Sequence, residues 1–307
     1  MALRREVYTG PLGPLPVGSR TLRAVTDRQG VAAVVAEVLG RTFAPGERLN
    51  ADSLSQAELV LALEEAFGVR LPDDLSLTSV EEAEAHVSAA TAGRLLSDPL
   101  GRRFGRLQHV ALGAMRPVLG RTYRLDIRGA ERVPPTGPAV LASNHDSLLD
   151  IPFLVVSSPR PVWFMAKVEL FNGPVASWFF HVLGGFPVRR GGYDLQAVRS
   201  ALEVIRRGRL LGMYPEGTRA PYLQAFLPGA AWVALATGAP LVPVGVTGTA
   251  EAMPRGSAVP RRTRVTVSFG EPMRPGREER PRARLERARV ISDDLRVEVE
   301  KLLASTP

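Results

Sequence analysis

A histidine and an aspartate five positions apart, in Asn144-His145-Asp146-Ser147-Leu148-Leu149-Asp150, form the first group in this 307-residue sequence that could move a proton. If a turn between them leads into a helix, the carboxylate reaches the imidazole. It then fixes the ring and stabilises its charged form, and the other ring nitrogen takes a proton. A second group, Tyr214-Pro215-Glu216-Gly217-Thr218-Arg219, joins a carboxylate, a flexible glycine and a guanidinium. A third, Gly185-Phe186-Pro187-Val188-Arg189-Arg190-Gly191-Gly192, sets paired arginines beside glycines, which suits a phosphate. The fourth is Ser53, which follows Asp52 at the head of a helical pattern. A phosphodiester on that hydroxyl would meet the free N–H groups and the positive dipole end of the helix. Taken singly, each group also has a plain structural reading: a histidine held by an acid, a solvated arginine turn, a serine N-cap.

Composition narrows the chemistry. The chain has no cysteine, so disulfides, thiolate metal sites and a cysteine nucleophile are all excluded. Its four histidines, His86, His109, His145 and His181, are scattered, and no metal site is expected. The net charge of +8 is unevenly placed. Residues 1–100 carry 9 Arg against 14 acids, a net of −5, and the remainder carries a net of +13. Within residues 24–92 there are 4 Arg and 12 acids. Such asymmetry implies two modules with different partners. Only Lys167 and Lys301 are lysines.

The elements that must position these groups fall into the same two modules. Residues 24–92 read as all-helical. One helix spans 29–40, a second starts near Ser53 and ends at Gly68, a short turn or helix covers 72–76, and a last helix spans 79–90. The expectation is a four-helix bundle. Residues 93–105, rich in Gly, Ser and Pro, read as a linker. From residue 106 to 307 the expectation is a second domain. Its apolar runs at 138–142, 161–165, 185–188, 210–214, 241–246 and 263–269 alternate with helical patterns. This is the signature of an α/β domain with a mostly parallel, covered sheet, in which ligands collect at strand ends.

Two resemblances follow. Leu49-Asn50-Ala51-Asp52-Ser53-Leu54, with Ala57-Glu58-Leu59-Val60, Leu63-Glu64-Glu65-Ala66-Phe67-Gly68, Leu71-Pro72-Asp73-Asp74 and Leu77-Thr78-Ser79-Val80, resembles an acyl carrier protein over about 65 residues. Asn50 departs from the glycine usual there. The resemblance implies a covalent 4′-phosphopantetheine on Ser53, attached by a phosphopantetheinyl transferase, and an acidic second helix that docks on arginine-rich partners. The order Asn144–Asp150, Phe186–Arg190, Pro215–Arg219 and Val242-Pro243-Val244, with Lys167-Val168-Glu169-Leu170 between the first two, is similar to the 1-acyl-glycerol-3-phosphate type of glycerolipid acyltransferase. That family implies His145 as general base and Asp150 as its orienting acid. It implies Arg190 and Arg219 as phosphate ligands, with Lys167 a weaker one. Glu216, Gly217 and Thr218 would shape the phosphate pocket, and Pro243 either shapes the pocket or is only a strand proline. One departure limits the acceptor: Phe226-Leu227-Pro228-Gly229 lacks the basic residue the family often places there.

Together these imply an O-acyltransferase. The donor would be a thioester on the chain's own carrier, on a free carrier or on CoA, and the acceptor a phosphate-bearing lipid such as lysophosphatidic acid. Acyl transfer to an amine or a secondary-metabolite hydroxyl, and a non-catalytic carrier or scaffold, stand as alternatives. No secretion signal and no run of about 20 apolar residues is present, so the expected location is cytoplasmic, at most peripheral on a membrane. Residues 103–120 read equally as a helix lying on an anionic membrane surface or as an ordinary docking helix. No aromatic-and-basic pattern for nucleic acid appears.

Overall fold

The computed structural model describes residues 28–90, 106–188, 194–254, 256 and 259–306. The N-terminal unit contains α1 (Arg28–Leu39), α2 (Ser53–Phe67) and α3 (Val80–Ala89). Val31, Val35 and Val38 of α1 pack on Leu59, Val60 and Leu63 of α2 and on Ala83 and Val87 of α3. Asp52 caps α2 by accepting from the Ser55 N–H at 2.8 Å, and Gly68 ends it in the left-handed region at φ 64°. Ser79 caps α3 in the same way.

The structure differs from the four-helix expectation: among the described residues the unit has three α-helices. The stretch at 72–76 is a single turn in which the Leu75 N–H reaches the Pro72 carbonyl at 3.4 Å. Side chains of α2 take the flanking backbone groups that a helix would need. Glu64 accepts from the Leu71 N–H at 2.7 Å, and Gln56 bonds both the N–H and the carbonyl of Leu77 at 3.1 and 2.8 Å. The proposed linker at 93–105 lies outside the described residues.

The C-terminal unit opens with α4 (Arg106–Tyr123) and β1 (Asp126–Arg128). It continues through β2 (Ala139–Ser143), α5 (Asp150–Ser157), β3 (Val162–Lys167), α6 (Pro174–Val182), β4 (Gly185–Val188), α7 (Leu195–Arg206) and β5 (Leu210–Met213). It closes with α8 (Gly229–Thr237), β6 (Leu241–Thr247), α9 (Thr249–Ala252), β7 (Thr266–Phe269) and α10 (Pro281–Ala304). The strands form one sheet in the order β1-β7-β6-β2-β5-β3-β4, parallel throughout except for the antiparallel β6–β7 pair. Successive β2 residues face opposite sides: Ala139 and Leu141 join the cluster under α5, while Val140 and Ala142 join the cluster under α7, α8 and α10. Both faces are therefore covered, as a parallel sheet requires. On α4, Leu112, Met115 and Leu119 pack inward, and Val110 is exposed.

Because β2, β3, β4 and β5 run parallel, their C-terminal ends share one edge of the sheet. That edge carries His145, Lys167 and the 214–219 segment.

Candidate active site

β2 is buried along its whole length and stops at Ser143, and Asn144 ties it to the neighbouring strand. The Asn144 side chain accepts from the Val246 N–H at 2.8 Å and donates to the Val246 carbonyl at 2.9 Å. The chain then turns through His145–Leu149 and enters α5 at Asp150.

Asp150 is fully buried and both of its carboxylate oxygens accept hydrogen bonds. Its Oδ2 accepts from His145 Nδ1 at 2.8 Å, from the Asp146 N–H at 2.8 Å and from the Ser147 N–H at 2.9 Å. Its Oδ1 accepts from Thr249 Oγ1 at 2.5 Å. Three donors converging on one carboxylate oxygen keep the proton of the imidazole on Nδ1 and leave Nε2 as the basic nitrogen. The His145 ring stacks on Tyr214, with centroids 4.2 Å apart and planes 25° apart. The Tyr214 hydroxyl is buried with no hydrogen-bond partner among the described residues, and burial pushes its pKa well up.

The β5–α8 loop closes over the same histidine. The buried Glu216 accepts from the His145 N–H at 2.7 Å through one oxygen and from the Gln224 N–H at 3.0 Å through the other. The Ala220 N–H donates to the His145 carbonyl at 3.0 Å, which anchors Arg219 one residue away. Gly217 sits at φ 68°, in the left-handed region that favours glycine. Burial raises the pKa of Glu216, opposed by the Gln224 and His145 N–H groups. Asp146 is pushed up to about 6, first by burial and then by the charges of Asp150 and Glu216.

The structure brings His145, Asp150 and Glu216 into direct contact and leaves Gly217, Thr218 and Arg219 exposed beside them. Lys167 ends β3, exposed and level with Val188 of β4. Arg190 lies outside the described residues. Pro243 is a mid-strand residue of β6 whose carbonyl accepts from the Gly270 N–H at 2.8 Å. In the N-terminal unit Ser53 is the first residue of α2 and is exposed, and the cap is Asp52 rather than Ser53. Sequence reasoning missed Thr249, the Asn144 staple, Gln224 and the Tyr214 stack. Thr249 and Asn144 act across 99 and 102 residues of chain, Tyr214 acts through ring packing, and Gln224 binds Glu216 through a backbone N–H, so none carries a side-chain spacing that marks it.

Residues 124–247 match the family model described as Acyltransferase, and residues 29–87 match the one described as Phosphopantetheine attachment site. The chain joins a phosphopantetheine-attachment domain to an acyltransferase domain. An attachment domain of this kind bears its 4′-phosphopantetheine covalently on a serine. The transferase part is similar to a chloroplastic 1-acyl-sn-glycerol-3-phosphate acyltransferase of Brassica napus, 34% identical over 140 residues, which cover 44% of this chain and 40% of that protein. The chain thus spans about two fifths of the length of that relative. A lyso-ornithine lipid O-acyltransferase of Pseudomonas aeruginosa is 36% identical over 85 residues, 27% of this chain and 32% of that one. The crystal structure of the 1-acyl-sn-glycerophosphate acyltransferase PlsC from Thermotoga maritima superposes with a TM-score of 0.51 at 27% identity, covering 68% of this chain and 86% of that one. Among the described residues, no helix of the acyltransferase or carrier domain is long and apolar enough to cross a membrane.

Proposed function

We propose that the chain is an O-acyltransferase that moves a fatty-acyl group from a phosphopantetheine thioester to a hydroxyl of a glycerophosphate-type acceptor such as lysophosphatidic acid. The observation that carries this reading is the His145–Asp150 pair, bonded at 2.8 Å and locked by two backbone N–H groups and Thr249. His145 Nε2 takes the acceptor's hydroxyl proton as its oxygen attacks the thioester carbonyl. Asp150 holds the resulting imidazolium. As the C–S bond breaks, the imidazolium returns that proton to the leaving sulfur. General-base catalysis of this type is worth roughly 10²–10⁴-fold. Arg219 holds the acceptor phosphate beside His145, joined by Arg190 and, at longer reach, by Lys167. Glu216 ties the Arg219 loop to the His145 backbone, and Gly217 and Thr218 give that loop its shape.

Ser53 is the attachment point, because its hydroxyl is exposed and Asp52 already does the capping. When bound, the arm supplies the thiol that this cysteine-free chain lacks. A phosphopantetheinyl transferase is the modifying partner, and the carrier serves the transferase in cis. Cytoplasmic placement at a lipid surface fits Val175, Trp178 and Phe179, which α6 leaves 78%, 55% and 39% exposed next to α4.

The test is an assay of the phosphopantetheinylated protein and its His145→Ala variant against a panel of acceptors. Turnover of lysophosphatidic acid that the variant loses supports the proposal. Turnover retained by the variant excludes His145 as base, and no turnover with any acceptor leaves a carrier or scaffold. A second reading, a different lipid or small-molecule acceptor, is favoured by Phe226-Leu227-Pro228-Gly229, which lacks a basic residue, and by the lyso-ornithine lipid relative.

A further inference from the structure

Glu58 and Glu64 of α2 are not open to solvent, whereas Glu65 is exposed. Six consecutive residues, Ser55–Val60, are buried. One core buries one side of a helix, so burial all round over more than a turn needs a partner on each side. The carrier core covers one side through Leu59 and Leu63, and α7, α8 and α10 of the transferase domain cover the other. Glu58, its side chain 1% exposed, receives the Trp232 indole N–H from α8 and pairs with Arg284 of α10 at 2.9 Å. Arg199 of α7, its side chain 9% exposed, pairs with Glu64 at 2.5 Å, donates to the Leu71 carbonyl at 3.2 Å and pairs with Asp73. Arg282 donates to the Gly40 carbonyl at 3.0 Å, and Arg289 pairs with Asp52 at 3.3 Å. The apolar cluster of the carrier runs without a break into the cluster under α7, α8 and α10.

These contacts also set a direction. Glu58 meets Arg284 and Asp52 meets Arg289, so α2 lies antiparallel to α10, with its Ser53 end toward the C-terminal half of α10. Beyond Arg289, Ser292 donates to the Leu227 carbonyl at 3.4 Å and Arg296 to the Gln224 carbonyl at 3.2 Å. Gln224 in turn binds Glu216, which holds the His145 backbone. From Arg289 to Arg296 is about 10 Å along the helix. Ser53 therefore points at the end of the sheet where His145 sits, and it is exposed while the residues behind it are sealed.

We propose that the Glu58–Glu64 face of α2 is a standing docking surface for this chain's own transferase domain, so that the carrier delivers from the docked position and serves no second chain. This rests on the in-cis reading above. Release would return to water the apolar cluster that runs across this interface, and it would separate Glu58 from Arg284 and Arg199 from Glu64, so the docked position is the favoured one.

The experiment uses the full-length protein, acylated on the phosphopantetheine of Ser53. Its single-turnover transfer is expected to be independent of protein concentration. A mixture of the Ser53→Ala chain with the acylated His145→Ala chain, each at about 1 μM, is expected to be roughly 10³-fold slower, the ratio of a millimolar tethered concentration to a micromolar free one. Arg284→Glu is expected to slow in-cis transfer about tenfold or more through loss of one buried charge partner. The same variant should turn over a soluble acyl thioester at the wild-type rate and show faster hydrogen exchange in α2 and α8, a readout that needs no acyl transfer. Glu58→Gln, which keeps a hydrogen-bonding side chain, should shift exchange the same way by less and serves if Arg284→Glu does not fold. A mixture as fast as the wild type, or variants with wild-type exchange and transfer, overturns the docking proposal and leaves in-cis delivery standing. An acylated wild-type chain that never transfers, although a soluble thioester turns over, overturns the in-cis reading and the docking proposal with it.

Discussion

The two ends that the proposed reaction must bring together are built in opposite ways. At the end of β2, His145 and Asp150 are buried, and Asp150 accepts four hydrogen bonds from within the fold. At the start of α2, Ser53 is exposed and Asp52 performs the capping for it. A general base works by holding one nitrogen at one place in one protonation state, so its surroundings must be rigid and dry. An attachment point must be reached by a modifying enzyme and must let an arm swing, so it sits at a helix tip with nothing over it. The proposed base thus sits inside a buried bond network and the proposed attachment point at an exposed helix start.

That contrast can be broken, and the largest effect is expected at the buried end. Asp150→Asn places an amide where Nδ1–H and two backbone N–H groups all need an acceptor, so the imidazole loses its orientation and tautomer. Transfer should fall by roughly 10²–10⁴-fold, with the folded state still visible by circular dichroism. A variant with wild-type turnover would show that the network does not serve the base. Ser53→Ala should abolish the mass gain on treatment with a phosphopantetheinyl transferase and all transfer from the carrier. Its melting temperature should not move, because an exposed residue that is not the cap contributes little. A drop of several degrees would place Ser53 in the structure rather than at its edge.

Asn144→Ala should cost about 1–3 kcal/mol for each Val246 backbone group left buried and unpaired, read as a shifted denaturant midpoint. The smallest effect concerns Asp146, whose pKa is pushed up to about 6 mainly by burial. Unfolded, it titrates near ~3.9, so between about pH 4 and 6 the folded state holds the proton more tightly. Folded stability from this group therefore falls as pH rises through that window, and the loss is complete above it. Asp146→Asn should raise the melting temperature at pH 8 and leave it unchanged near pH 3. Equal shifts at both pH values would remove the charge from the explanation.

Much of this was legible in the residue order, for reasons that are themselves local. The strand runs of the α/β domain appear within two or three residues of their observed positions, because a buried parallel strand is a continuous apolar run. His145 and Asp150 were legible because five positions of turn and helix start suffice to join them. The expected fourth carrier helix is a turn instead, because Glu64 and Gln56 of α2 capture the backbone groups of Leu71 and Leu77, which the local pattern does not show. The three-residue strand Asp126–Arg128 is too short to show alternation, and it exists only because β7 offers it an edge. Thr249 carries no local mark at all. It matters because a short helix after β6 points it at Asp150 from 99 residues away.

By itself the sequence determined the two modules, their opposite charges, the absence of any thiol of their own, and the order of the motif blocks. Each of these is a matter of composition or short-range spacing. The tertiary structure decided how firmly the histidine's acid is held, since the 145–147 turn binds one Asp150 oxygen and Thr249, 99 residues away, binds the other. It also decided that Glu58 and Glu64 of α2 are covered. The resemblance implies only that these glutamates meet arginine-rich partners, and the packing shows Glu58 and Glu64 against Trp232, Arg199 and Arg284 of the same chain.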